Sequence, residues 1–352
     1  MVLSATIPDQ LHTWLDVWSR WPEREPSAHP GYLMAIASAD EQPMCAVLDL
    51  GESGVIYPFL TREIDLPPMS GACRDITGPL FGYTGAFEWN IKDKSQAAER
   101  FWSEFAAWAR QARIVSSFAR LSLFEDDLLP FDGRTRVVQP NVIRDLQHSD
   151  DELWRDVEHK VRKNVKHARA EGVVVETDPN WDNLDSFIAI YEATMRRRQA
   201  TPRYSFPHEF FEKLVAAIPG SLQLFLARVG SKVISAELVL TSTHHAYSFL
   251  GGTREESFRL RPNDLLKYEI IRALRDQGLT HLVLGGGPTP GDGIFRYKRS
   301  FAPNGLVDFK VGEQIYDPGA YEELIQQHSA HATADGRTWR PIADFFPAYR
   351  AG

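Results

Sequence analysis

A lysine set among aromatic rings ends the run Gly293-Ile294-Phe295-Arg296-Tyr297-Lys298-Arg299-Ser300-Phe301. Ahead of it lie a short apolar segment, His281-Leu282-Val283-Leu284, and a loop with five glycines and two prolines between Gly285 and Gly293. Loops at the ends of buried strands are where sites tend to be built. Between Tyr297 and Phe301, apolar surface can hold the Lys298 ammonium close to a reacting group. The plainer alternative is one turn of surface helix with its basic residues in water.

A second group is basic. The segment 151–171 carries Arg155, Lys160, Arg162, Lys163, Lys166 and Arg169, with His159 and His167, against Asp156 and Glu158 near its middle. On a helix, Arg155, Arg162, Lys166 and Arg169 share one stripe, and a row of cations can hold a row of phosphates by releasing counterions. The alternative is a solvated helix face. Arg196-Arg197-Arg198 ends another helical segment, where cations suit the dipole. Arg203-Tyr204 follows and sets a fork-shaped donor beside an aromatic platform. At least one of these arginines is expected to face a cleft, and spacing does not say which.

Several chemistries lack their residues. There is no Gly-x-x-x-x-Gly-Lys-Ser/Thr loop. Gly285-Gly286-Gly287 has no third glycine of a dinucleotide fingerprint. No Gly-x-Ser-x-Gly elbow, His-Glu-x-x-His or Cys-x-x-Cys occurs. His244 and His245 are adjacent, so on a strand they face opposite ways and make poor joint metal ligands. Hydrolase and metalloenzyme readings are weak, and no metal is expected.

The elements that must position these residues fit within 352 residues, room for two domains. Hydrophobic residues at 43% and charged residues at 24% give an ordinary globular balance. The net charge of −8 argues against general nucleic-acid coating but leaves room for a local basic patch. Cys45 and Cys73 cannot form a disulfide framework and suit a reducing cytoplasm. No apolar run approaches the length of a membrane span. Residues 1–10 lack the basic start and apolar core of a signal peptide.

Periodicity predicts helices over 11–21, 96–112, 151–171, 184–198, 207–217 and 262–277, with a helical tail over 317–330. Pro22, Pro26 and Pro30 read as breaks. Strands are expected over 44–50 and 55–60, joined by a hairpin at 51–54, and over 114–123, 135–146, 173–175, 222–229, 233–241, 246–250 and 281–284. The segment 71–85 is glycine-rich. Helices and strands alternate twice over, with a linker near 148–150.

These residues resemble the FemABX family of non-ribosomal peptidyl transferases. Arg162-Lys163-Asn164-Val165-Lys166-His167-Ala168 looks like the family's basic helix. Ala246-Tyr247-Ser248-Phe249-Leu250-Gly251-Gly252, followed by Arg261-Pro262-Asn263-Asp264-Leu265-Leu266, is similar to its strand-then-helix signature. Phe295-Arg296-Tyr297-Lys298-Arg299-Ser300-Phe301 looks like its terminal aromatic-lysine motif, and Ser116-Ser117-Phe118-Ala119-Arg120-Leu121 is a fainter match.

The resemblance implies an α/β fold of two tandem GNAT-like (acyl-CoA N-acyltransferase-like) domains with mixed central sheets. Domains are expected over 1–148 and 149–316, with 317–352 packing back on the first. It implies transfer of an aminoacyl group from aminoacyl-tRNA to an amine on a peptide-bearing acceptor, with no cofactor. Lys298 and Tyr297 would be the catalytic pair. Arg198, Arg203, Tyr204, Tyr247 and Asn263 would contact substrate, and Arg155, Arg162, Lys163, Lys166, Arg169 and Arg299 the tRNA.

This chain looks like the compact type, without a long helical hairpin in its second half. His29-Pro30-Gly31-Tyr32 departs from the start of the cell-wall members. The acceptor is therefore open between a peptidoglycan precursor and a peptide antibiotic intermediate or other small peptide. The oligomeric state is open too, and a monomer is compatible with the sequence.

An aminoacyl ester is already activated, so neither ATP nor metal is required. Alignment of amine and carbonyl supplies about 7–11 kcal/mol of the barrier. A cation at the oxyanion adds about 3–4 kcal/mol. Lys298 suits that role, and would act as a base only if burial lowered its pKa.

The first rival is a coenzyme-A-dependent N-acyltransferase, whose pyrophosphate would rest on a Gln/Arg-x-x-Gly-x-Gly/Ala loop. The nearest match, Arg169-Ala170-Glu171-Gly172-Val173-Val174, lies between helix and strand, the wrong order. Residues 259–265 contain no glycine. The second rival is a non-catalytic RNA- or peptide-binding protein on a degenerate transferase fold.

Overall fold

The computed structural model describes residues 1–65, 73–79, 81–334, 336 and 338–351. Gly71, at the start of the glycine-rich segment, lies outside the described residues. In chain order the elements are β1 (Val2–Ser4), α1 (Pro8–Arg20), α2 (Pro30–Ile36), β2 (Glu41–Asp49), β3 (Gly54–Glu63), β4 (Arg74–Thr77) and β5 (Phe87–Trp89). Next come α3 (Lys94–Gln111), β6 (Ile114–Arg120), β7 (Arg134–Asp145), α4 (Asp150–Asp156), α5 (His159–Ala170), β8 (Val174–Thr177), α6 (Leu184–Arg198) and α7 (His208–Ala217). The chain continues with β9 (Leu222–Val229), β10 (Lys232–Thr241), β11 (His245–Thr253), α8 (Pro262–Asp276) and β12 (His281–Gly285). It finishes with α9 (Gly293–Arg299), β13 (Leu306–Ile315) and α10 (Pro318–Ala334).

Two compact units result. Unit 1 is Met1–Val138 with Phe309–Gly352, and unit 2 is Gln139–Asp308. The division falls at 138/139 and 308/309 rather than at 148 and 316. Sheet pairing is the reason, because the end of β7 completes the sheet of unit 2 and β13 completes that of unit 1.

In unit 1 the sheet runs β1-β2-β3-β4-β6-β13, with β5 on β3. Among the described strands of this unit, only β4 and β6 pair in parallel, as a strand–helix–strand crossover through α3 requires. Asp93 caps α3 by accepting from the Gln96 N–H at 2.9 Å. The helix lays Phe101, Trp102 and Phe105 against Tyr57 and Phe59 of β3.

The C-terminal segment packs on the same unit. Leu324 of α10 is buried with Ile64, Cys73 and Val115. The Asp75 carboxylate, fully buried, accepts from Arg62, Arg350 and the Tyr349 hydroxyl.

In unit 2 the order is β7-β12-β11-β10-β9-β8. Again one pair is parallel, β11 with β12, and α8 makes the crossover. The core joins Val161 and Val165 of α5 to Leu265, Leu266, Ile270 and Leu274 of α8.

The single helix expected over 151–171 is two helices. Val157 and Glu158 are extended, with ψ of 146° and 148°. This break buries Val157 and lets the Glu158 N–H reach the Ser300 carbonyl at 2.9 Å. Ser149 caps α4 in a reciprocal box with Glu152. The Arg162 guanidinium closes the other end of α4, on the carbonyls of Arg155, Val157 and Trp154.

Candidate active site

The parallel pair of unit 2 is short. His245, Ala246 and Tyr247 of β11 face His281, Leu282 and Val283 of β12, and there the pairing stops. β11 runs on to Thr253, with a register shift against β10 between Leu238 and Val239. β12 ends at Gly285, φ +78°, a conformation that glycine adopts without strain, and pairs there with Val142 of β7. The two strands thus part just after Tyr247.

Three polar side chains meet beside this parting. Glu237 of β10 and Lys267 of α8 form an ion pair, and both are about 95% buried. Ser248, the first residue of β11 past the pairing, donates to Glu237 at 2.7 Å and lies 2.8 Å from the Lys267 ammonium.

Next to the cluster, the loop after β12 folds back. Asp292 caps α9, accepting from the N–H groups of Phe295 at 2.7 Å and Thr289 at 3.1 Å. A Cβ on Gly287 would stand 2.4 Å from the Asp292 carboxylate, and one on Gly286 2.4 Å from the Asn141 side-chain oxygen. A larger residue at either position would have to displace one of those polar groups.

α9 presents Tyr297 and Lys298. The Tyr297 hydroxyl donates to the main-chain carbonyl of Asn263 at 3.1 Å, and its ring meets Phe301 edge-on at 5.1 Å. Burial pushes that hydroxyl well above the usual tyrosine range. The Lys298 ammonium donates to the Gly286 carbonyl at 2.7 Å. Burial, then the positive charge of Lys267, lowers its pKa to about 8, against the pull of Glu237 and Asp292. A cation held at that value is mostly charged at neutral pH and gives up its proton readily.

Asp264, in the first turn of α8, is half-buried and accepts from Asn164 of α5 at 3.1 Å. Burial raises its pKa, opposed by that hydrogen bond. Among the described residues it has no ion-pair partner.

The fold thus brings Tyr297 to the Asn263 carbonyl and Lys298 to the Gly286 carbonyl, while Asp264, the residue after Asn263, bonds to α5. Tyr247 marks the parting itself. Tyr297 is held by the main chain, so its hydroxyl acts as an anchor for α9.

Other expected residues lie elsewhere or are already engaged. Arg198 is exposed. Arg203 stacks on its own neighbour Tyr204 at 5.1 Å, and the Tyr204 carbonyl accepts from Tyr191. The arginine of this triplet that turns inward is Arg197, over the Phe258 ring at 4.7 Å and bonded to the Thr253 carbonyl at the end of β11.

The basic stripe is split because Arg155 sits on α4. With Arg144, Asp145, His148 and Glu152, Arg155 lines a cavity of about 650 Å³ at the end of β7, and Lys298 is not among its lining residues. Arg162 is spent on helix carbonyls, and Arg169 pairs with Glu269 at 2.5 Å. Lys163, Lys166 and Arg299 are exposed and have no ion-pair partner among the described residues, though Lys166 lies over the Trp154 ring.

Sequence reasoning missed Glu237 and Lys267. A signal was there: each is the sole charge in an apolar stretch, Val233-Ile234-Ser235-Ala236-Glu237-Leu238-Val239-Leu240 and Leu265-Leu266-Lys267-Tyr268.

Comparison with known proteins bears on the fold. Residues 155–299 match the acetyltransferase (GNAT) domain family. Over the whole chain, the structure of FemX is similar with a TM-score of 0.63 at 14% identity, covering 90% of this chain and 97% of that one. The C-terminal domain of a putative lysylphosphatidylglycerol synthetase from Agrobacterium fabrum scores 0.57 at 13% identity, covering 87% and 92%. L-PGS from Bacillus licheniformis scores 0.52 at 11% identity, covering 96% and 99%. No curated protein matches the sequence significantly. The fold is therefore FemX-like, α/β, with a GNAT-type domain in its second half, and the expected fold class is borne out. Among the described residues, no helix is long and apolar enough to cross a membrane.

Proposed function

We propose that this FemX-like, GNAT-fold protein is an aminoacyltransferase, moving an amino acid from aminoacyl-tRNA to the amine of a peptide-bearing acceptor. The observation that carries this reading is the start of α8. An acyl-CoA enzyme of this fold rests a pyrophosphate on free N–H groups there. This chain has no glycine over 259–265, begins the helix with Pro262, which has no N–H, and sets the Asp264 carboxylate in the first turn. A carboxylate in that place repels a diphosphate. An ester donor needs no such seat.

In the reaction the acceptor nitrogen attacks the ester carbonyl and a C–N bond forms. Lys298, as the ammonium, faces the oxyanion. The C–O bond then breaks, and the ribose hydroxyl leaves with the proton given up by the amine. Among the described residues, Lys163, Lys166 and Arg299 are exposed cations without an ion-pair partner, available to meet tRNA phosphates. Arg197 joins Arg198, Arg203, Tyr204, Tyr247 and Asn263 as a candidate for acceptor contacts. The acceptor is a peptidoglycan precursor or a peptide antibiotic intermediate. Aminoacyl-tRNA places the protein in the cytoplasm, which also suits its two free thiols.

One observation favours a second reading, acyl transfer from coenzyme A: residues 155–299 match an acetyltransferase domain family. The test runs both donors side by side with one panel of peptide amines. Labelled amino acid should move from aminoacyl-tRNA to a peptide, and acetyl-CoA should stay intact. Acetylation without aminoacyl transfer overturns the proposal. Binding of RNA and peptide with no turnover, unchanged in Lys298→Ala, would make the protein a binder on a transferase fold.

A further inference from the structure

The reaction above makes no use of the cavity at the end of β7. Its volume of about 650 Å³ is that of a small-molecule site. Its floor is buried and fixed. The Arg144 guanidinium is held by the Asp156 carboxylate, by the Asp145 carbonyl at 3.1 Å and by the Phe301 carbonyl at 3.3 Å. Asn304 donates to the other oxygen of Asp156 at 3.1 Å. The turn that carries Asn304 lies directly on β7. The Ile143 N–H donates to the Gly305 carbonyl at 2.8 Å, and a Cβ on Gly305 would stand 1.8 Å from the Ile143 carbonyl oxygen. Glycine at 305 permits that approach, so the floor is shaped before any ligand arrives.

The rim carries charge that the fold leaves over. Arg155 of α4 is exposed and donates from Nε to the Asp151 carbonyl at 3.1 Å. Among the described residues, its two terminal nitrogens have no partner. Asp145, of opposite sign, accepts from the Gln147 N–H at 2.8 Å and has the His148 ring at 3.4 Å. A carboxylate has about four lone-pair sites, so Asp145 keeps room for a further donor. Arg155 and Asp145 line the same void from two different elements. Glu152 lines it too, but its carboxylate is occupied by the Ser149 cap at 2.6 and 2.9 Å.

These walls select by charge. Three carboxylates, on Asp145, Glu152 and Asp156, repel a phosphate or other polyanion. The two guanidiniums oppose a bare cation, and among the described residues no group of His, Cys, Asp and Glu is placed to hold a metal ion. Apolar lining is scant, chiefly Ile143 and Ala302. A molecule that carries both signs satisfies both leftover groups. We propose that this cavity binds a small zwitterion, an α-amino acid or a short peptide. Its carboxylate lies on the Arg155 guanidinium, whose fork matches two carboxylate oxygens. Its ammonium lies on the Asp145 carboxylate. The site goes beyond the transferase reading and does not depend on it.

The test is isothermal titration calorimetry on the intact chain at neutral pH, with alanine, alanyl-alanine, alaninamide and N-acetylalanine as probes. Alanine or alanyl-alanine should bind at millimolar concentration or below. The tighter of the two tells whether a free amino acid or a peptide is the source. Alaninamide lacks the carboxylate and N-acetylalanine lacks the ammonium. Each should bind at least about tenfold more weakly than the zwitterion.

Two variants assign the contacts. Arg155→Gln should weaken the zwitterion about tenfold and leave alaninamide unchanged, because that probe never used the guanidinium. Asp145→Asn should weaken the zwitterion and spare N-acetylalanine. Neither side chain is buried, and a melting curve shows that each variant folds. The proposal is overturned if neither zwitterion binds, if the blocked probes bind as well as the zwitterions, or if binding survives both variants. No donor substrate enters these titrations, so their failure leaves the transferase reading untouched, and the failure of that reading leaves this site standing.

Discussion

In unit 1 the parallel pair β4–β6 stays closed beyond its last residues. The Gly78 N–H reaches the Phe118 carbonyl at 2.9 Å, the Thr84 N–H reaches Arg120 at 2.7 Å, and Ser122 returns to Thr84 at 2.8 Å. In unit 2 the matching pair, β11–β12, parts after three residues. The same plan of strands and crossover helix therefore yields one sealed half and one open half. Aromatic rings fill the sealed half, and a lysine, a glutamate and a serine line the open one. Buried charge is present in both. Around Asp75 it ties down the C-terminal segment, and around Glu237 it is paired with Lys267 in the half that holds the proposed catalytic lysine. The fold supplies the frame twice, and on the function proposed above the side chains at the strand parting make the second copy the reactive one.

The largest expected effect tests that division. Lys298→Ala should lower aminoacyl transfer about 10²–10³-fold while the melting curve keeps its shape. Asp75→Ala should do the reverse, leaving activity per folded molecule unchanged. It should lower stability by about 3 kcal/mol, since two partly exposed arginines lose their shared partner, and denaturant unfolding measures this.

A smaller effect separates the two uses of buried charge. Lys298 titrates at about 8 in the folded protein against an ordinary 10.5. Between those values the unfolded chain binds the proton more tightly, so this group makes stability rise with pH across the window and costs most below it. Allowing for its partial exposure, Lys298→Met should add about 1–2 kcal/mol at pH 7. That gain should vanish above pH 10.5 in urea titrations at a series of pH values.

The smallest effect concerns the basic surface. Replacing Lys163, Lys166 or Arg299 singly with alanine should reduce the salt slope of tRNA binding by less than about one unit each. Arg162→Ala should instead act on folding, because its guanidinium closes α4.

The sequence revealed most where one local rule decides. α6 and β9 keep the ends that periodicity predicts, and Gly230-Ser231 turns β9 into β10 as read. It misled where position within an element matters. Pro30 was read as a break, yet it opens α2 at the first helical position, where its missing N–H costs nothing. The gap between α4 and α5 has no breaker residue, because it is held by Ser300, distant in sequence, and by the side chain of nearby Arg162. β13 went unread because its apolar residues alternate only in part, and its pairing partner β6 lies far back in the chain.

At the candidate site, the aromatic-lysine run and the strand-helix signature pointed to Lys298 and the α8 start. What they left out, Glu237 and Lys267, depends on which charges the fold encloses. Arg197 and Arg198 could not be told apart by spacing, because one helical step decides which of them turns inward.

One consequence of the topology concerns the growing chain. Unit 1 needs β13, α10 and Tyr349, all of which emerge from the ribosome after unit 2. For the roughly ten to thirty seconds that translation of residues 139–308 takes, the outer edge of β6 has no neighbouring strand. The later half of the gene is then the first to yield a finished body, and the earlier half must wait, exposed, for its last strand.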